Sequence, residues 1–321
     1  MTPADFSFLQ SFLKARSGLD LAADKQYLID SRLNPVVRKR QLGDLANLVR
    51  MLKAGGDKAL EAVVVEAMTT NESFFFRDKT PFDQFREKIV PSLTQSRASS
   101  RKLRIWCAAA STGQEPYSLA MIIKEMSGTL ANWRTEIVGT DLSGEVLEKA
   151  RAGLYSQFEV QRGLPVQMLV KYFEQQGEMW QLSPAIRAMV QYKTFNLLDS
   201  FSGMGQFDVI FCRNVLIYFD APTKRDVLAR MARQLAPDGF LVLGAAETVV
   251  GLTTDFAPME GGRGVYLPTG NGVAAQPQLK AVNAAGVTNS AIAPGMPGAS
   301  AAPAKPAASN VLPMTPARIR T

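Results

Sequence analysis

The stretch Leu103 to Met121, LRIWCAAASTGQEPYSLAM, constrains the fold of this chain more than any other. It starts as a short apolar run, Leu103 to Ala108, with charges at its upstream edge (Arg101, Lys102, Arg104). The small residues Ala109, Ala110, Ser111, Thr112 and Gly113 follow, and Glu115-Pro116 heads an amphipathic run. Proline suits the first turn of a helix, where a missing N–H costs nothing and φ is already set. Strand, tight loop of small residues and helix together form the device by which an open α/β sheet holds a nucleotide-like ligand at the carboxyl end of its first strand. The same pattern describes any βαβ unit, so the rest of the chain has to decide.

Alternation of strands and helices continues downstream. Glu136 to Asp141 reads as a second strand ending in an acid, Met189 to Phe195 as a third followed by Asn196-Leu197, and Phe207 to Cys212 as a fourth followed by Arg213-Asn214-Val215. Pro222 starts a helix to about Leu235, Pro237-Asp238-Gly239 turns the chain into a fifth strand over Phe240 to Leu243, and Val265 to Leu267 closes the sheet. The expected architecture is a doubly wound sheet with helices on both faces. The gap from Gly153 to Ala188 is too long for one crossover. Gly163, Pro165 and Gly177 punctuate it and Met179 to Leu182 alternates, so an inserted helix with a small antiparallel element is expected there.

Upstream, residues 1–80 read as a small helical unit. Thr2-Pro3 caps a first helix that Gly18 ends, and a second runs over about Asp24 to Leu33, stopping before Pro35. A third carries Leu45, Leu48, Val49 and Leu52, and a fourth spans Asp57 to about Met68. Arg38-Lys39-Arg40, with Arg32 and Arg50 nearby, is either a solvated helix end or a docking face for an acidic partner helix. In Thr69 to Arg77 three consecutive aromatics are flanked by Asn71, Ser73 and Arg77, the composition of either a pocket edge or a junction between units. Residues 269–321 are rich in Ala, Pro, Gly, Asn and Ser with few large apolar groups, and are expected to be disordered.

Composition narrows the chemistry. Histidine is absent from all 321 residues, which removes histidine bases, Ser-His-Asp and Cys-His catalysis and most zinc sites; no metal is expected. Cys107 and Cys212 lie in apolar strand-like runs, as buried reduced thiols of a cytoplasmic protein would. No apolar run approaches the ~20 residues that cross a bilayer, and MTPADFSFLQ lacks the pattern of a secretory signal. Of the net charge of +7, the tail contributes Lys280, Lys305, Arg318 and Arg320 with no acid, leaving a balance too mild for a nucleic-acid partner.

An acid at the tip of a second strand normally accepts from ribose hydroxyls, which assigns Asp141 to a nucleoside. The loop lacks the three glycines of G-x-G-x-x-G, and Asp141 lies further from Gly113 than the ~20 residues of dinucleotide fingerprints. A cofactor with a ribose and no pyrophosphate fits better, namely S-adenosylmethionine.

TTNESFFFR (69–77), WCAAASTGQEPYSLAM (106–121), GTDLSGEVLEKARAGLY (139–155), FNLL (195–198) and FDVIFCRNVLIYFD (207–220) together resemble the bacterial chemotaxis-receptor methyltransferases, the CheR family. The match runs in order from about residue 5 to 268. It implies a helical N-terminal domain (1–80), a Rossmann-like methyltransferase domain (81–268) with a small β-subdomain inserted at about 153–188, and methyl transfer from S-adenosylmethionine to glutamate side chains of chemoreceptors. By motif, the implied cofactor contacts are Asn71, Ser73, Arg77, Glu115, Asp141, Asn196, Leu197, Asn214 and Val215. Two departures stand out. Ser73 replaces the family's frequent Thr, keeping the hydroxyl. Gly244-Ala245-Ala246-Glu247 stands where Gly-His-Ser-Glu is common, and the resemblance assigns those side chains no role.

The chemistry agrees with the composition. A glutamate with a pKa near ~4.3 is already a carboxylate at neutral pH, and the sulfonium donor leaves as a neutral thioether, so no base is needed. Alignment and desolvation carry such a reaction. Arg77 and Arg213 are candidates to position a carboxylate, with a structural arginine as the other reading of Arg213. Tyr218 either lines the acceptor channel or packs in the core. The implied partner is the chemoreceptor's cytoplasmic helices, reached through Arg38, Lys39 and Arg40, with the membrane touched only indirectly. Competing readings are a methyltransferase for another substrate and a cofactor-binding signalling scaffold.

Overall fold

The computed structural model describes residues 1–270, so the expected disordered tail lies, past that point, outside the described residues. Four helices open the chain: α1 (Pro3–Ser17), α2 (Gln26–Lys39), α3 (Leu45–Ala54) and α4 (Lys58–Met68). Thr2 and Asp5 cap α1 reciprocally, and Asp44 and Asp57 cap α3 and α4. Their apolar faces share one core containing Leu9, Leu13, Ile29, Leu33, Leu48 and Val64.

Pro35 does not end the second helix; it sits inside α2, which continues to Lys39. Val36 and Val37 join Ile29 and Leu33 in the core. Burying two such side chains gains about 1.5–3 kcal/mol each, enough to offset the ~3 kcal/mol cost of an interior proline. Burial overrides the local stop signal.

After α5 (Thr80–Gln84), a wider helical turn and α6 (Val90–Ser96), the alternation begins with β1 (Lys102–Cys107), α7 (Gln114–Glu125), β2 (Arg134–Asp141) and α8 (Gly144–Ala152). The insert follows: β3 (Leu154–Ser156), α9 (Gln157–Gln161), α10 (Val166–Tyr172), β4 (Phe173–Gln176), β5 (Met179–Leu182) and α11 (Pro184–Arg187), its strands forming an antiparallel sheet in the order β3-β5-β4. Then come β6 (Val190–Thr194), β7 (Phe207–Cys212), α12 (Ala221–Gln234), β8 (Leu235–Leu243), β9 (Phe256–Pro258) and β10 (Val265–Pro268).

The main sheet has the order β6-β2-β1-β7-β8-β10-β9, parallel from β6 to β8, with β10 antiparallel to both neighbours. Successive residues serve opposite faces. Ile105, Cys107, Val209, Phe211 and Val242 enter one core, whereas Trp106, Ala108, Ile210, Cys212 and Leu243 enter the other. This two-sided burial is why the strands read as continuous apolar runs. Strand order reverses beside β1, so connections part at the carboxyl ends of β1 and β7 and leave a crevice there.

The fifth parallel strand is longer than expected. Leu235 pairs with Phe207 and Phe240 with Val209, so Pro237 to Gly239 bulge from a strand that continues through them. Strand β9 escaped notice because three residues ending in proline carry almost no strand signal.

Candidate active site

The loop after β1 is built from small residues because chain passes close on every side. Ala108 N–H donates to Phe211 O at 2.8 Å and Ala110 N–H to Thr140 O at 2.9 Å, tying the loop to both neighbouring strands. Gly113 has φ 94, and a Cβ there would stand 2.8 Å from the Tyr192 hydroxyl; only glycine fits. Asp141, at the tip of β2, accepts from Ser111 N–H at 2.8 Å and Ser143 N–H at 3.0 Å. A carboxylate offers about four acceptor positions, so two backbone donors leave it capacity for a ligand. Burial raises the pKa of Asp141 above its ordinary value, offset in part by these N–H groups.

Across the crevice, Arg213 follows β7 and is 5% exposed. It donates to Glu115 Oε2 at 2.9 Å, Asp78 Oδ2 at 2.7 Å and the Arg77 carbonyl at 2.9 Å. Its Nε is buried without a partner. The carboxylates that Arg213 positions are therefore the chain's own. Burial pushes the Glu115 pKa up, and Arg213 counters that only in part.

The segment Asn71 to Arg77 is a non-helical connector, which resolves how three aromatics in a row are housed. Phe75 is fully buried, edge-on to Tyr155 and Phe173 of the insert at 5.0 and 5.5 Å. Phe76 meets Phe82 at 5.3 Å, and Phe74 lies beneath the guanidinium groups of Arg77 and Arg162. The Asn71 carbonyl accepts from Ser111 Oγ at 2.6 Å, and the Arg77 guanidinium donates to Glu72 O at 2.8 Å. Arg77 has no ion-pair partner among the described residues.

Asn71, Ser73, Arg77, Glu115, Asp141, Asn196, Leu197, Arg213, Asn214, Val215 and Tyr218 all line one cavity of about 350 Å³. The structure brings together every site residue chosen from the sequence. Asn196 differs in what its side chain does: the amide donates to Arg16 O at 2.7 Å and accepts from Leu198 N–H at 3.0 Å, tying the end of α1 to the loop after β6.

Sequence reasoning missed the roof. Leu19 to Ala22, Leu28 and Arg32, all from the helical unit, close the cavity. Arg32 donates to the Met68 and Thr69 carbonyls and to Thr70 Oγ1 at 2.8 Å, so it is a junction tie and not part of the basic surface. Glu66 of α4 accepts from Ser143 Oγ and, at 3.0 Å, from Glu145 N–H, capping α8 beside Asp141. Arg38, Lys39 and Arg40 are exposed at the end of α2.

Comparison with known proteins matches this geometry. Residues 4–69 fit the all-alpha domain of CheR methyltransferases, and residues 71–265 fit their SAM-binding domain. The chain belongs to the CheR methyltransferase family. It is 42% identical over 268 residues to chemotaxis protein methyltransferase 1 of Pseudomonas aeruginosa, an alignment covering 82% of this chain and 96% of that one. It is likewise 42% identical to the chemotaxis protein methyltransferase of Vibrio parahaemolyticus (78% and 90% covered) and 34% identical to that of Salmonella typhimurium (80% and 88% covered). The chain is thus a methyltransferase that uses S-adenosylmethionine. No helix among the described residues is long and apolar enough to cross a membrane.

Proposed function

We propose that this CheR-family enzyme methylates glutamate side chains of chemoreceptors, forming glutamyl methyl esters in the cytoplasm, with the cofactor held in the crevice beside β1. The observation that carries the reading is the convergence of residues from five separate motifs on one cavity at the switch point of the sheet. Its donor set suits the cofactor. Asp141 offers acceptors to ribose hydroxyls; Leu142, Phe195 and Leu197 offer an apolar wall to the base; Arg77 and Glu115 offer opposite charges to the methionine end. When bound, S-adenosylmethionine supplies an activated methyl group on a sulfonium.

The protein's own contribution is alignment and exclusion of water. An acceptor carboxylate arrives ionised, so the chain needs no proton acceptor and its lack of histidine costs nothing. Arg77, which like Arg32 has no carboxylate partner among the described residues, serves the methionine end, and Tyr218 lines the path of the incoming carboxylate. The helical roof dries the site, which strengthens each of these contacts.

In this division of labour residues 1–80 face the receptor and 81–268 perform transfer, with 153–188 bracing the connector. Arg38, Lys39 and Arg40 suit the negative end of α2; exposed together, they also suit an acidic receptor helix. Charge reversal at all three is expected to lower receptor methylation severalfold without changing affinity for S-adenosylhomocysteine, and unchanged methylation sinks the docking role. The acceptor itself is tested with labelled S-adenosylmethionine and chemoreceptor-containing membranes. Label on the receptor that mild alkali releases is expected. Alkali-stable label, or transfer to something other than receptor, overturns the glutamate reading.

A further inference from the structure

Glu247 stands in the Gly244 to Glu247 run that the family resemblance left without a role, and it is 8% exposed. Its carboxylate collects four backbone donors. Oε2 accepts from Gly244 N–H at 2.8 Å and Asn214 N–H at 2.8 Å, and Oε1 from Val215 N–H at 3.0 Å and Ile217 N–H at 3.2 Å. Three of these belong to the loop after β7. That loop carries Asn214 and Val215 into the cavity and presents Tyr218 just beyond.

The turn of the loop presents those donors. Asn214 has φ 58, a left-handed conformation that asparagine adopts more readily than most other non-glycine residues. Turning there points successive N–H groups inward, and convergent N–H groups attract an anion. Four donors use all of the roughly four acceptor positions of a carboxylate, so Glu247 has none to spare for a ligand. Gly244 is packed around the same contact. A Cβ there would lie 2.7 Å from Glu247 Oε2 and 3.0 Å from Asn214 N.

We propose that Glu247 is the positioning residue of the active site's β7 wall, shaping the Asn214 to Tyr218 loop for cofactor and acceptor without touching either. The inference rests on the cofactor-site reading above. Glu247→Gln tests it directly, because an amide NH2 must then face two N–H donors in either orientation.

The readout is calorimetric titration of the full chain with S-adenosylhomocysteine, together with kcat on receptor membranes. Glu247→Gln is expected to weaken the ligand about tenfold or more at a stoichiometry still near one, and to lower kcat as well. Gly244→Ala, which keeps the charge but displaces the carboxylate, is expected to do the same and serves if Glu247→Gln does not fold. Wild-type affinity in either folded variant, with loss only of melting temperature or of active fraction, overturns the positioning role and leaves the cofactor site standing. Failure of the wild-type chain to bind S-adenosylhomocysteine overturns the site, and the positioning role with it.

Discussion

The two halves of the crevice use their charged groups in opposite ways. On the β1–β2 side, Asp141 receives two backbone N–H groups and keeps acceptor capacity toward the cavity. On the β7–β8 side, Glu247 is saturated by four, and Arg213 reaches across to lock Glu115 and Asp78. One side presents a side chain with open acceptor positions to the cavity; the other presents backbone held in place by side chains. Surface acids obey a different rule again. Lys53 and Thr2 hold the Asp5 carboxyl down to about 2, whereas burial raises both Asp141 and Glu115. The crevice maintains charges at a cost, and the two halves offset that cost differently.

The largest expected effect comes from breaking the link between them. Arg213→Met leaves Glu115 buried without its cation and Asp78 without its partner. Removing one member of a buried pair costs about 3–5 kcal/mol, so urea denaturation should show a loss of that size. Adding Glu115→Gln to the same chain is expected to restore part of it, because the uncompensated charge is gone. A loss below about 1 kcal/mol in the single variant, or a double variant weaker than the single, breaks the account of Arg213 as an internal clamp.

Acid titration separates the halves next. The folded pKa of Asp141 lies above its ordinary value, so as pH falls this carboxyl protonates sooner than a free aspartate and, on the proposed cofactor reading, stops accepting from ribose. Affinity for S-adenosylhomocysteine is therefore expected to start falling at a higher pH than an ordinary aspartate would give. Asp141→Asn should bind about tenfold more weakly near neutrality and lose that acid limb. Protonation of a group whose folded pKa is raised favours the folded chain, so the loss of binding does not reflect unfolding through Asp141. An unchanged acid limb in Asp141→Asn assigns it to another group.

The same contrast explains what was legible in the sequence. Asp141 announces itself as the acid at a strand tip and the 69–77 run by its composition, whereas Glu115 and Asn214 are reached only through the family resemblance, each within a motif contiguous in the chain. Arg32, Glu66 and Glu247 act on segments distant in the chain: 68–70, 143–145 and 214–217. No local pattern encodes such pairings. Pro35 misled for a related reason, since the burial that overrides it comes from α3 and α4, residues 45–68. The sheet was readable because both faces are apolar; its bulge at Pro237 to Gly239 was not, because register depends on the neighbouring strand.

The smallest expected effect probes how the helical unit supports the ligand-facing half. Glu66 caps the first turn of α8 through Ser143 and the Glu145 N–H, and Ser143 N–H in turn donates to Asp141. Glu66→Gln keeps a carbonyl acceptor but loses the charge at a helix N-terminus, which costs about 0.3–1 kcal/mol. It should therefore lower the melting temperature by a few degrees at most. If α4 also sets the orientation of the Asp141 loop, affinity for S-adenosylhomocysteine falls two- to threefold with it. A drop in melting temperature with wild-type affinity confines Glu66 to holding the two parts together and leaves Asp141 positioned by the Ser111 and Ser143 N–H groups without help from α4.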